Sequence, residues 1–211
     1  MQGMILFGIL VSTYLMVIAK RMPALIRSFR YQSFFLCLIT ASAGFSGTHP
    51  DMLVVAGLIL ILKVFVIPHV LSLIAKKITV DENLGLFINS QLSLVIALIL
   101  TYGSWVFSKN LDLGLDHTAG IAVTVAFTVI AIGSFLMVCR MKAFTQVTGL
   151  LVMENGIFLL ASSLSGGMPF FVEIAVFFDV FVSVIIMGLF VYRINRLFTH
   201  IDVNKLSRLK G

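Results

Sequence analysis

The sequence predicts an all-α, polytopic integral membrane protein of about seven transmembrane helices, with the N-terminus outside and the C-terminus in the cytoplasm. Three observations predict it. First, 60% of the 211 residues are hydrophobic and only 11% are charged, with a mean hydropathy of +1.11, a composition no soluble domain shares. Second, apolar runs long enough to cross a bilayer follow one another at about 3–19, 32–48, 51–75, 84–108, 117–139, 145–165 and 169–192, leaving no room for a soluble domain. Third, the basic residues alternate in step with these runs. Lys20, Arg21, Arg27, Arg30, Lys76, Lys77, Arg140, Lys142, Arg193, Arg196, Lys205, Arg208 and Lys210 all fall on one side, whereas the opposite loops hold Lys109 beside Asp112 and Asp116. The positive-inside rule sets the orientation from this bias. The net charge of +6 is then a topology signal, and no nucleic-acid partner is expected.

The first run opens with Met1-Gln2-Gly3 and carries its positive charges behind it, the reverse of a signal peptide, so it is expected to remain as an anchor. Next, Met22, Ile26 and Phe29 set against Arg21, Arg27 and Arg30 predict a short amphipathic turn lying on the membrane surface. The outer half of the second span is rich in small residues (Thr40, Ala41, Ser42, Ala43, Gly44, Ser46, Gly47), which favours close helix packing. In the third span Pro68 lacks an amide donor and predicts a kink or a freed carbonyl. Thr79-Val80-Asp81-Glu82 has capping-box spacing, so the fourth span is expected to begin there. Its Asn89, Ser90, Gln91 and Ser93 either line a wet cavity or bind neighbouring helices. The fifth span has no ionisable residue from 121 to 138 and reads as packing. A Gly-Gly-Met-Pro turn joins the sixth and seventh spans as an antiparallel pair. Beyond them, Ile194, Leu197, Phe198, Ile201, Leu206 and Leu209 lie among basic residues, in a tail suited to headgroups or to a partner.

Ionisable side chains inside the spans are the candidate functional residues. Glu154 and Asp179 each lie about nine or ten residues into their helices, roughly 14 to 15 Å deep at ~1.5 Å per residue, which is the bilayer midplane. A midplane acid costs ~3 kcal/mol to insert and such residues mark ion or proton paths; the other reading is a structural carboxyl bonded to Ser or Asn of a neighbouring helix. Lys63 is about as deep, too far from either surface to snorkel. Glu173, about 6 Å into its helix at ~1.5 Å per residue, is either an interfacial acid or a point where protons enter or leave. His69 joins Lys63 and Pro68 on one span, as a member of this path or as a plain packed residue. Cys37 and Cys139 lack metal-ligand spacing. With no glycine-rich phosphate loop, paired-cysteine motif or serine-histidine arrangement, the sequence offers no site for covalent chemistry and predicts no cofactor.

Specific residues also carry a resemblance. Met153-Glu154-Asn155-Gly156, Val172-Glu173-Ile174 with Asp179 after it, Asp202-Val203-Asn204, Leu206, the closing Leu209-Lys210-Gly211 and the stretch from Lys63 to Pro68 resemble component E of hydrogenase-4 and of related group-4 hydrogenase and formate hydrogenlyase complexes. The last three spans are also similar to the small three-helix subunit K of complex I and to its counterpart among the components of multisubunit cation/proton antiporters. Where subunit K has Gly-Leu-Glu, this chain has Gly149-Leu150-Leu151 and its acid three residues on, about 300° around the helix and so on nearly the same face. The resemblance divides the chain into a four-helix part, 1–116, a three-helix part, 117–192, and a cytoplasmic tail, 193–211. It implies a membrane-arm subunit of a complex I-like hydrogenase in the cytoplasmic (inner) membrane of a prokaryote, without redox cofactors, beside antiporter-like membrane subunits and a cytoplasmic hydrogenase module. Glu154 and Asp179 would carry protons, with Lys63 modulating them and Glu173 and His69 further along the path. A purely structural scaffold and an antiporter subunit are the alternative expectations.

Overall fold

Residues 2–45, 51–77, 89–111, 116–140 and 143–164 are described in the computed structural model, and there is no strand among them. The chain is all-α. In order come α1 (Gln2–Ile18), α2 (Met22–Phe45), α3 (Asp51–Ile59), a π-helical segment (Leu60–Val66), α4 (Ile67–Lys77), α5 (Ser90–Asn110), α6 (His117–Cys139) and α7 (Ala143–Leu164). Among the described residues, four stretches are long and apolar enough to cross a membrane: Met52–Leu73, Ser90–Asn110, His117–Cys139 and Thr145–Leu164. Helix α1 is apolar but shorter, at 17 residues. The seventh span, the Gly-Gly-Met-Pro turn, the tail and the Thr79–Glu82 capping box lie outside the described residues.

The predicted surface turn at 22–30 is instead the start of α2. Pro23 sits in the first turn of that helix, where its missing amide is no loss. The buried residues Met22, Leu25, Ile26, Phe29, Gln32, Ser33, Leu36, Cys37, Thr40 and Gly44 continue without a break of period to the far end. The apolar spacing that suggested an amphipathic turn is thus the first part of a stripe facing the bundle, with Arg21, Arg27 and Arg30 exposed beside it. Helix α5 begins later than expected. Asn89, with ψ at 143°, is the non-helical residue before Ser90.

From α3 to α4 the chain is one continuous rod with a widened middle. The amide of Ile67 donates to the carbonyl of Leu62, five residues back, and Pro68 follows immediately. Proline has no amide for the carbonyl of Val64, so the register change falls where the regular ladder is already broken. Lys63 lies inside the widened segment.

Three glycines let α6 and α7 meet backbone to backbone. A Cβ on Gly133 would stand 2.5 Å from the Met153 amide nitrogen, one on Gly149 2.7 Å from that of Met137, and one on Gly156 2.8 Å from that of Ile130. Gly44, among the small residues of the second span, likewise admits the Leu53 side chain. Hydroxyls tie α5 to its neighbours: Tyr14 meets Thr101 at 2.6 Å, and Thr124 donates to Ser108 at 3.0 Å. Near the end of α5, Lys109 lies over the Trp105 ring at 4.5 Å, with Tyr102 beside the tryptophan, an arrangement typical of an interfacial aromatic belt.

Arg140, expected only as an orientation charge, is buried against the end of α1. Its guanidinium donates to the carbonyls of Val17 at 3.0 Å, Met16 at 3.4 Å and Ala19 at 3.4 Å. It therefore caps orphan carbonyls and meets the negative end of the α1 dipole. Burial lowers its pKa from the ordinary value while the adjacent Cys139 acts the other way, and arginine stays charged throughout. Arg140→Ala is expected to cost about 2 kcal/mol. Arg140→Lys should recover only part of this, since an ammonium cannot fork across three carbonyls. Thermal unfolding in detergent checks both, and a lysine variant as stable as wild type would show that charge alone suffices.

Candidate functional site

The site is built where α1, α2, the π segment and α7 come together. Gly149 and Gly156 turn one side of α7 to α6, while Glu154 and Asn155 reach the π segment. Lys63 donates to Asn155 Oδ1 at 2.8 Å, and its Nζ lies 3.5 Å from Glu154 Oε1. Asn155 Nδ2 donates to Gln32 Oε1 at 3.0 Å and to Ser33 Oγ at 3.4 Å. Gln32 Nε2 donates to Thr13 Oγ1 at 2.8 Å, and the Thr13 hydroxyl donates to the Ile9 carbonyl at 2.7 Å. These six side chains are nearly sealed from the surface: Lys63 is 1% exposed, Glu154 and Asn155 2%, and Thr13, Gln32 and Ser33 0%.

The two charges are paired by distance, but neither carboxylate oxygen of Glu154 has a hydrogen-bond partner among the described residues. A neutral amide holds the ammonium more closely than the carboxylate does. Such a carboxyl has a compensating charge nearby yet no fixed donors locking it into the ionised form, which is what reversible protonation requires. Among the described residues no cluster of His, Cys, Asp or Glu is fit to hold a metal ion.

Of the residues singled out in the sequence, Lys63 and Glu154 are brought together. His69 is exposed on α4 and takes no part in this network. Asp179 and Glu173 lie outside the described residues. In α5, Ser90 and Ser93 are buried whereas Asn89 and Gln91 are exposed, and none of them joins the site. Sequence reasoning missed Thr13, Gln32, Ser33 and Asn155. Gln32 looked like the first residue of a span, and only the unbroken period from Met22 onward could have moved it to mid-helix. Asn155 carried a signal in standing next to a deep glutamate.

No family model matches the sequence, and no solved structure matches it. Curated proteins do. The chain is 29% identical over 211 residues to hydrogenase-4 component E of Escherichia coli K12, covering 98% of this chain and 96% of that one, and equally so to its Shigella flexneri counterpart. It is also 28% identical over 207 residues to an uncharacterized protein of Mycobacterium tuberculosis, covering 96% of this chain and 93% of that one. From end to end, then, this all-helical membrane chain is similar to hydrogenase-4 component E.

Proposed function

We propose that this protein is a membrane subunit of a hydrogenase complex and that it contributes to proton translocation coupled to electron transfer, with Glu154 as a proton carrier and Lys63 as its compensating charge. The observation that carries the reading is the buried pair itself: a carboxylate 3.5 Å from an ammonium, without hydrogen bonds to either oxygen, near the middle of its helix. In this reading Glu154 takes up a proton when the field around it turns more negative. It releases that proton when Lys63 or a further cation approaches. Asp179 would be the second carrier, at a similar depth on the seventh of seven spans, and Glu173 would serve the path nearer the surface. His69 belongs to it where a neighbouring subunit or a water chain reaches the exposed face of α4. The N-terminus would lie outside and the tail in the cytoplasm, beside antiporter-like subunits and a hydrogenase module.

Glu154→Gln tests the proposal, because the amide keeps the shape of the side chain and cannot titrate. In inverted membrane vesicles the variant complex is expected to assemble and oxidise hydrogen while losing most of the protons moved per electron. An unchanged stoichiometry would assign the subunit a scaffold role instead.

A further inference from the structure

The hydrogen bonds around Lys63 run in one direction. The Thr13 hydroxyl has a single proton, given to the Ile9 carbonyl at 2.7 Å, so its oxygen must accept from Gln32 Nε2 at 2.8 Å. With its NH2 committed there, Gln32 turns Oε1 to Asn155 Nδ2 at 3.0 Å. Asn155 then has only Oδ1 to present to Lys63, at 2.8 Å. A reversed chain would set an amide N–H against the ammonium, donor against donor. Carboxamides hold charges through their dipoles and have no titrating proton to pass on, so the chain is a holder and not a conduit. Every member is buried, so a missing link leaves a polar group inside the bundle without its partner.

We propose that Thr13, Gln32 and Asn155 are positioning residues, a one-way chain anchored on the α1 backbone that keeps the Lys63 ammonium on Asn155 and leaves the Glu154 oxygens open to a proton. This rests on the reading of Glu154 as a carrier.

Two variants at one position separate this from packing. Thr13→Val keeps the shape and loses the hydroxyl, whereas Thr13→Ser keeps the hydroxyl and loses a methyl. A packing role favours valine and penalises serine. The chain requires the reverse: in vesicles carrying the whole complex, Thr13→Val orphans one buried donor and should lose a large part of the protons moved per electron, and Thr13→Ser should restore most of it. The ratio is read per assembled complex, so a lower yield does not hide the result, and Asn155→Leu should reproduce the loss from the other end of the chain. A harmless Thr13→Val, a serine variant as impaired as the valine one, or wild-type coupling in Asn155→Leu overturns the proposal. Glu154→Gln is measured alongside. If that variant pumps normally, the carrier reading fails and the positioning proposal falls with it. If it does not pump while Thr13→Val does, only the positioning proposal fails.

Discussion

Lys63→Met is expected to destabilise the protein by about 3–5 kcal/mol, because it leaves the Glu154 carboxylate buried without its counter-charge and Asn155 Oδ1 without its donor. The methionine fills much the same volume, so the loss comes from electrostatics and not from a cavity. Lys63→Arg keeps the charge and should do less harm, although its planar fork suits a single amide oxygen poorly. The informative comparison is the double variant with Glu154→Gln. Removing both charges takes away the Lys63–Glu154 pair as a whole, so the two changes should cost less than the sum of the singles by about 1–3 kcal/mol. Thermal unfolding of the four proteins in one detergent closes the cycle. Additive losses would mean that Lys63 and Glu154 do not sense each other across 3.5 Å.

Gly149→Ala is expected to cost about 2–3 kcal/mol and to reduce assembled protein sharply, a large effect for one methyl group. The added carbon would stand 2.7 Å from the backbone nitrogen of Met137 and 3.0 Å from the carbonyl oxygen of Gly133, atoms that cannot rotate away. The two helices must separate, and α7 carries Glu154 and Asn155 with it. Coupling to Lys63 should therefore weaken together with stability. Gly57→Ala and Gly103→Ala serve as controls, since nothing lies within 4 Å of a Cβ at either position. In those helices alanine should be neutral or stabilising by about 0.5–1 kcal/mol. Should Gly149→Ala behave like the controls, the close crossing of α6 and α7 is not what holds the site.

The long apolar helices could be read from residue order with little error. The expected span at 117–139 coincides with His117–Cys139, and that at 145–165 is close to Ala143–Leu164, because hydropathy alone finds a segment with at most one Asp, Glu, Lys or Arg among its apolar residues. The second span was misread for the opposite reason. Arg27 and Arg30 break the run of apolar letters, yet both are exposed on a helix whose buried stripe continues past them. The π segment gave no sign beyond Pro68, since a change of hydrogen-bond register leaves the side-chain pattern almost as it was.

The sequence alone determined that Lys63 and Glu154 lie deep in their helices, because depth is counted along one chain from its polar ends. Which side chains stand opposite each other at that depth was decided only by the tertiary structure. Three glycines bring α6 against α7, Arg140 closes over the end of α1, and a register beginning at Met22 carries Gln32 to Asn155. Lateral neighbours follow from how helices approach and how buried polar groups find partners, and both are properties of pairs of segments distant in sequence.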